Sequence, residues 1–282
     1  MVGPIAARWN VTVGSRYAEV ENRLTETTAF PAGVVLKDDQ LVGELGVVFQ
    51  PAPGWRFFAR RDGNFRFAKV DEQTFTSPGV IGLDTQTGAS WELGAEWRTL
   101  THSLRVTAYR LALSDEIGFD PAAPPASIFI PGANANFSDT VRDGVSIEAG
   151  WSLSSWLHFQ GAYTFTDARF ESGVFDGKQI SGVSEHLLSI NASVEMLGGL
   201  TSYLELQATG DQFLSGDNAN ALAKQSGFSV VNLGVNYAVG GLSVSAQVRN
   251  LFDKEYVEVA NTGGIFPSPE RNFLLSIGYA IP

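Results

Sequence analysis

Val231-Asn232-Leu233-Gly234-Val235-Asn236-Tyr237-Ala238-Val239-Gly240-Gly241-Leu242-Ser243-Val244-Ser245-Ala246-Gln247-Val248-Arg249 is the stretch that decides the fold. Val231, Leu233, Val235 and Tyr237 alternate with Asn232, Gly234 and Asn236. Beyond the tight link Val239-Gly240-Gly241, Leu242, Val244, Ala246 and Val248 alternate with Ser243, Ser245, Gln247 and Arg249. Successive side chains of an extended strand point to opposite faces, so a period of two gives each strand one apolar and one polar face. Two such runs around a glycine turn read as an antiparallel hairpin.

The same pattern spreads to both ends of the chain. Phe273, Leu275, Ile277, Tyr279 and Ile281 share one face; Leu188, Ile190, Ala192, Val194 and Met196 oppose Ser189, Asn191, Ser193 and Glu195. Val145, Ile147, Ala149 and Trp151 repeat it, as do Trp91, Leu93, Ala95 and Trp97, and finally Trp9, Val11 and Val13. About twelve segments of roughly ten residues or more result, the length of a tilted membrane-spanning strand; a soluble sandwich uses strands of about 5–6 residues. The phase is less clean around Phe57–Arg61 and Tyr109–Leu113, where a bulge or register change is expected. No segment reads as an amphipathic helix of any length.

Tight links at Pro51–Gly54, Thr99–His102, Leu153–Ser155, Leu197–Gly199 and Val239–Gly241 alternate with long polar connections at Thr25–Gln40, Lys69–Gln86, Phe119–Thr140, Ala168–Ser184, Asp211–Gly227 and Ala260–Pro269. An up-and-down barrel in an outer membrane has this asymmetry, short turns inside and long loops outside, and the arithmetic puts both chain ends on the short-turn side. The apolar face carries aromatics near its ends (Trp9, Tyr17, Trp91, Trp97, Trp151, Tyr163, Phe165, Tyr237, Tyr279), as a lipid-facing band between two girdles would. The opposite face, with Glu44, Glu92, Glu96, Glu148, His158, Gln160, Glu205, Gln207, Gln247 and Arg249, suits a wet barrel interior better than the outside of a sandwich. Residues 1–282 are expected to form one all-β domain, an antiparallel up-and-down transmembrane β-barrel of about 12 strands.

Composition narrows the function classes. Only 17% of the 282 residues are charged, below the roughly 25% of a soluble domain. The formal net charge of −11 argues against a nucleic-acid partner, which demands clustered Lys and Arg. The absence of cysteine removes disulfides, thiolate metal sites and thiol nucleophiles. No apolar run reaches the ~18 residues of a spanning helix. Met1-Val2-Gly3-Pro4-Ile5 has neither the charged nor the apolar region of a signal peptide, so the expectation is a cytoplasmic chain or one with its N-terminus removed; the strand pattern favours the second.

Several segments resemble the β-barrel of TonB-dependent outer-membrane receptors. Val248-Arg249-Asn250-Leu251-Phe252-Asp253-Lys254-Glu255-Tyr256, a Gly-rich loop, Pro269-Glu270-Arg271-Asn272 and a last alternating strand are similar to the family's C-terminal end. Phe58-Ala59-Arg60-Arg61-Asp62-Gly63-Asn64-Phe65-Arg66-Phe67 resembles its "sxGFRxP" strand, with Phe67 where proline is usual. Ser90–Gly94, Trp9–Tyr17 and Ala162–Ala168 resemble its "yELG", "WtltxGxRYd" and "aYTytdA" strands, in the family's order. The resemblance implies the last twelve strands of a 22-stranded barrel with a plugged lumen. Nothing resembles the plug, the TonB box or the first ten or so strands, and the chain ends Tyr279-Ala280-Ile281-Pro282 where the family favours a terminal aromatic.

The implied function is TonB-dependent uptake of a scarce nutrient, an iron chelate or organic cofactor, through the bacterial outer membrane. The implied partners are outer-membrane lipid, a small-molecule or metal-chelate ligand, and the TonB complex only through a plug this sequence lacks. A partner fragment or a homodimer would close an open sheet. The other reading is a self-contained 12-stranded pore or membrane enzyme, closed on itself.

Candidate ligand contacts are Arg56, Arg60, Arg61 and Arg66, whose guanidiniums could face the lumen and bind an anion or plug carboxylates, or else pair with Glu44, Glu92 and Glu96 on adjacent strands. Asp115, Glu116 and Asp120 beside Phe119 open an external loop and suit either Ca²⁺ or plain solvation. Phe129 in Ile128-Phe129-Ile130 is a candidate apolar ligand contact at a loop tip. His102, His158 and His186 lack metal-ligand spacing, so no metal, cofactor or catalytic residue is expected; no hydrolase elbow or nucleotide loop is present, although a Ser–His pair converging at a barrel rim stays open.

Overall fold

The structure, a computed structural model, describes residues 8–26, 30–129, 131–196 and 198–280; Ile130, Leu197, Ile281 and Pro282, named above, and the opening Met1–Ile5 lie outside them. Twelve strands form one antiparallel sheet. They are β1 (Trp9–Glu26), β2 (Phe30–Phe49), β3 (Trp55–Arg66), β4 (Gln86–Arg98), β5 (His102–Ser114), β8 (Thr140–Ser152), β9 (Leu157–Phe170), β10 (His186–Met196), β11 (Leu200–Thr209), β12 (Phe228–Val239), β13 (Leu242–Arg249) and β16 (Asn272–Tyr279), each beside its predecessor. Two small hairpins, β6 (Glu116–Asp120) with β7 (Ala133–Phe137) and β14 (Val257–Asn261) with β15 (Gly264–Pro267), stand inside long connections. A helical turn α1 (Val70–Thr74) occupies another.

The register puts the two faces on opposite sides of the sheet. Val47, Ala59, Leu93, Ala108, Val145 and Phe165 form one row across six strands; Arg56, Glu96, Arg105 and Glu148 form another on the other side. Leu275 and Ile277 are 66% and 67% exposed. Among the described residues no second layer covers the apolar side, so this face meets lipid and the fold is no sandwich. At the short-turn end of that face the aromatics touch in series, Trp9 on Phe49, Trp55 on Phe57 and Trp97, His102 between Trp97 and Trp151, and Trp151 near Phe159. This is the inner girdle. Tyr17 and Trp91 lie towards the outer one; Trp9 to Tyr17 is eight residues, about 26 Å along the strand and about 20 Å across a membrane at a tilt of about 40°.

Three details differ from the sequence reading. The expected loop Thr25–Gln40 is mostly strand: β1 runs to Glu26 and β2 starts at Phe30, with Glu21 bridging Lys37 (2.7 Å) across the hairpin and Arg23 (2.5 Å) along its own strand. Polar residues on both faces signal water, and this hairpin stands above the membrane as strand, not as loop. Nor do β3 and β5 contain the expected bulge. Their register is unbroken, and Phe58, Tyr109, Leu111 and Leu113 simply face the lumen. Phe58, Tyr109 and Tyr203 each lie over a glycine directly opposite on the next strand, Gly94, Gly144 and Gly234, where a Cβ would strike the ring. An aromatic ring thereby covers backbone that glycine leaves bare. Finally, among the described residues β1 pairs only with β2 and β16 only with β13, so the sheet does not close on itself.

Candidate functional site

The polar face carries the charged rows. A cavity of about 550 Å³ lies against it, lined by Glu96, Arg98, Arg105, Glu148, Gln160 and Glu205 among others. Glu96, Arg105 and Glu148 of the charged row line it; beside it Arg56 bonds Glu96 (3.5 Å), and the Arg56 and Arg105 guanidiniums both lie over the buried Phe58 ring, at 4.8 and 5.2 Å. A cation over an aromatic face is attracted to its quadrupole. Arg105 Nε is buried without a partner. The sequence already placed Glu96 and Glu148 on the polar face and Arg56 among the candidate contacts; Arg105 follows once the register aligns four strands.

The four candidate arginines do not form one cluster. Arg60 is lumenal and bridges Glu44 (3.3 Å) on β2 and Asp62 (2.7 Å) on its own strand. Arg61, one residue on, faces lipid with its guanidinium 5.5 Å from the Trp91 ring centre. Arg66 holds both Glu72 oxygens (2.7 and 2.9 Å) and donates to the Ile117 carbonyl (2.9 Å), tying α1 to β6 at the base of the outer loops. The loop carboxylates are equally separate. Glu116 accepts from Arg142 (2.6 Å) and Thr140 (2.5 Å), and Asp120 from the Ala122 amide (2.9 Å). Asp115 sits at φ 54°, and partial desolvation of its carboxyl, then Asp84 and Asp139, push it above the usual range. Among the described residues no group of three His, Asp or Glu is placed to hold a metal ion. Phe129 is 85% exposed, beside the equally bare Ile128.

The histidines sit apart. His102 is stacked in the inner girdle, and His186 bonds the Tyr163 hydroxyl (2.9 Å). His158 Nδ1 is 3.0 Å from Ser152 Oγ, its register partner, while Nε2 is 3.7 Å from Glu195, too far for the hydrogen bond by which a triad orients its base.

The outer loops enclose a second cavity, of about 640 Å³, between the β6–β7 hairpin, the β9–β10 and β11–β12 connections and the β14–β15 tip. Phe119, Phe137, Phe170 and Ile180 supply apolar wall; Ser181, Ser215, Asn218 and Thr262 supply polar groups. Asn218 is 6% exposed. Ser181 Oγ accepts the Gly216 amide (3.1 Å) and so donates to Asn218 Oδ1 (2.8 Å), which fixes the amide and leaves Nδ2 without a partner. Sequence reading missed Asn218 because its role depends on two loops meeting.

Residues 4–251 match the family model described as TonB dependent receptor-like, beta-barrel. The chain belongs to that family. A ferrichrome outer membrane transporter/phage receptor of Escherichia coli (strain K12) is 31% identical over 216 residues, 71% of this chain and 28% of that protein. A vitamin B12 transporter, BtuB, of Vibrio vulnificus (strain YJ016) is 24% identical over 259 residues, 88% of this chain and 39% of its own length. The solved copper transporter OprC overlays 97% of the chain with a TM-score of 0.82 at 17% identity, and the chain covers 45% of it. The TonB-dependent receptor barrel is thus the fold, the outer membrane its location, and the chain spans less than half the length of these relatives.

Proposed function

We propose that this chain forms the last twelve strands, and with them much of the outward-facing vestibule, of a TonB-dependent receptor that imports a scarce nutrient, a metal chelate or an organic cofactor. The observation that carries the reading is the pairing of two cavities on one wall: a charged lumenal face below, and a loop-enclosed, largely apolar vestibule above it. A ligand of mixed character would be captured at the vestibule, with Phe119 and Asn218 in contact and exposed Phe129 available at a loop tip. Arg56 and Arg60, with their carboxylate partners, would meet the plug or the passing ligand from the lumen. Function is by binding and gating, without catalysis, and energy arrives from TonB through a plug domain. The open edges at β1 and β16 fit strands supplied from elsewhere in the receptor or by a partner.

The test is uptake. Deleting the natural full-length chain from its host, then restoring it, is expected to abolish and restore TonB-dependent growth on at least one member of a panel of ferric hydroxamates, ferric catecholates, ferric citrate, copper and cobalamin. Steady single-channel conductance together with no TonB-dependent substrate in that panel would overturn the reading in favour of a passive pore.

A further inference from the structure

Arg60 and Arg61 are neighbours on an unbroken strand, so their side chains leave it on opposite sides. Arg60 finds two carboxylates in the lumen. Arg61 leaves on the lipid side, is exposed, and has no carboxylate within ion-pair distance among the described residues; its guanidinium lies against Trp91. The register row runs Arg61, Trp91, Arg110, which sets the two arginine backbones about 10 Å apart, one on each side of the indole. Arg110 is held by Asp143 (3.2 Å) and Glu171 (2.9 Å). Below this row the same face is wholly apolar, Val47, Ala59 and Leu93, and together they line a groove of about 440 Å³.

The depth is set by the strand. Arg61 is six residues above Trp55 of the inner girdle, about 20 Å along the strand and about 15 Å across the membrane, level with Trp91 and about 5 Å short of the depth of Tyr17, a gap that the long arginine stem spans by reaching towards the headgroups. A charge on the lipid side is costly at the midplane and tolerable at the headgroup level, where it meets headgroups and water. In a chain of net charge −11, a guanidinium lacking an acid partner at this depth is complementary to an anion that the membrane supplies. A planar guanidinium binds a phosphate by paired hydrogen bonds.

We propose that this groove binds one phosphorylated lipid of the outer leaflet, its phosphate on Arg61 with Arg110 as the second, weaker contact, and an acyl chain laid over Val47, Ala59 and Leu93. The apolar floor directly under the cation selects a lipid over a free anion.

The test uses the purified natural full-length chain in detergent and native mass spectrometry with three probes: phosphatidic acid, phosphatidylcholine of the same chains, and inorganic phosphate. One phosphatidic acid is expected to bind with preference over phosphatidylcholine and to resist competition by inorganic phosphate. Arg61→Gln is expected to weaken it about tenfold or more, the scale of a lost charge-assisted bond. Arg61→Lys, which keeps the charge and loses the fork, falls between, and lumenal Arg249→Gln has no effect. Equal binding of the two lipids, displacement by inorganic phosphate, or unchanged binding in an Arg61→Gln protein that migrates as folded each overturns the proposal.

Discussion

Replacing Gly234 by alanine tests the glycine–aromatic pairing that lines the lumen. The three atoms nearest an added Cβ all belong to the Tyr203 ring, which is directly opposite in the register. The methyl therefore cannot enter unless the ring swings away. Overpacking of this kind costs about 1–3 kcal/mol. Against it stands the lower conformational entropy of the unfolded chain, worth about 0.4–1 kcal/mol to alanine. Gly234→Ala should thus destabilise by up to about 2.6 kcal/mol, with a midpoint of about 1. Tyr203→Ala alone removes a cross-strand pair worth about 0.2–1 kcal/mol. In the double variant the obstacle is gone, so the two costs should not add: a coupling of at least about 1 kcal/mol is expected in the direction of rescue. The assay is urea unfolding of the natural full-length chain in lipid, followed by the gel mobility shift of folded barrels. Additive single effects, within about 0.5 kcal/mol, would refute the claim that the ring dictates glycine here.

Other perturbations separate the remaining claims. Ile190→Arg, on the lipid face, should cost roughly 2–4 kcal/mol and reduce the folded fraction in the membrane, whereas Ser189→Arg, lumenal, should not; equal effects would contradict the face assignment. Spin labels at Ile190, Val235 and Ile277 should be reached by lipid-dissolved oxygen and shielded from aqueous quenchers, the reverse of labels at Ser189 and Asn236. Asp115→Asn should stabilise the outer loops at neutral pH. The raised carboxyl of Asp115 means that the folded state prefers its protonated form, so its penalty is full above the folded value, fades as pH falls through it and is gone below the ordinary carboxylate range; a urea midpoint difference that grows towards acid pH would reverse the sign. Asparagine tolerates the positive φ at this position.

Strand number, direction and faces were legible because alternation is a local property, readable one segment at a time. Leu233 against Asn232 needs no knowledge of the rest of the chain. What escaped is set across strands. Phe58 and Tyr109 looked like breaks in phase, since their glycine partners Gly94 and Gly144 come from distant segments. The arginines were grouped by residue type, yet alternation within β3 already separates Arg60 from Arg61. The outer loops were readable only as polar, turn-rich connections; the β6–β7 hairpin and the Ser181–Asn218 contact arise where loops from different hairpins meet.

Strict alternation also governs how such a chain travels before it folds. Because every second residue is polar, the mean hydropathy is only +0.02. The apolar surface exists only once extended strands line up side by side; until then no segment carries enough hydrophobic length to be retained by a membrane met on the way. A polypeptide bound for the outer membrane can therefore cross an inner bilayer and an aqueous compartment without stopping. Its affinity for lipid is a product of folding, acquired at the destination.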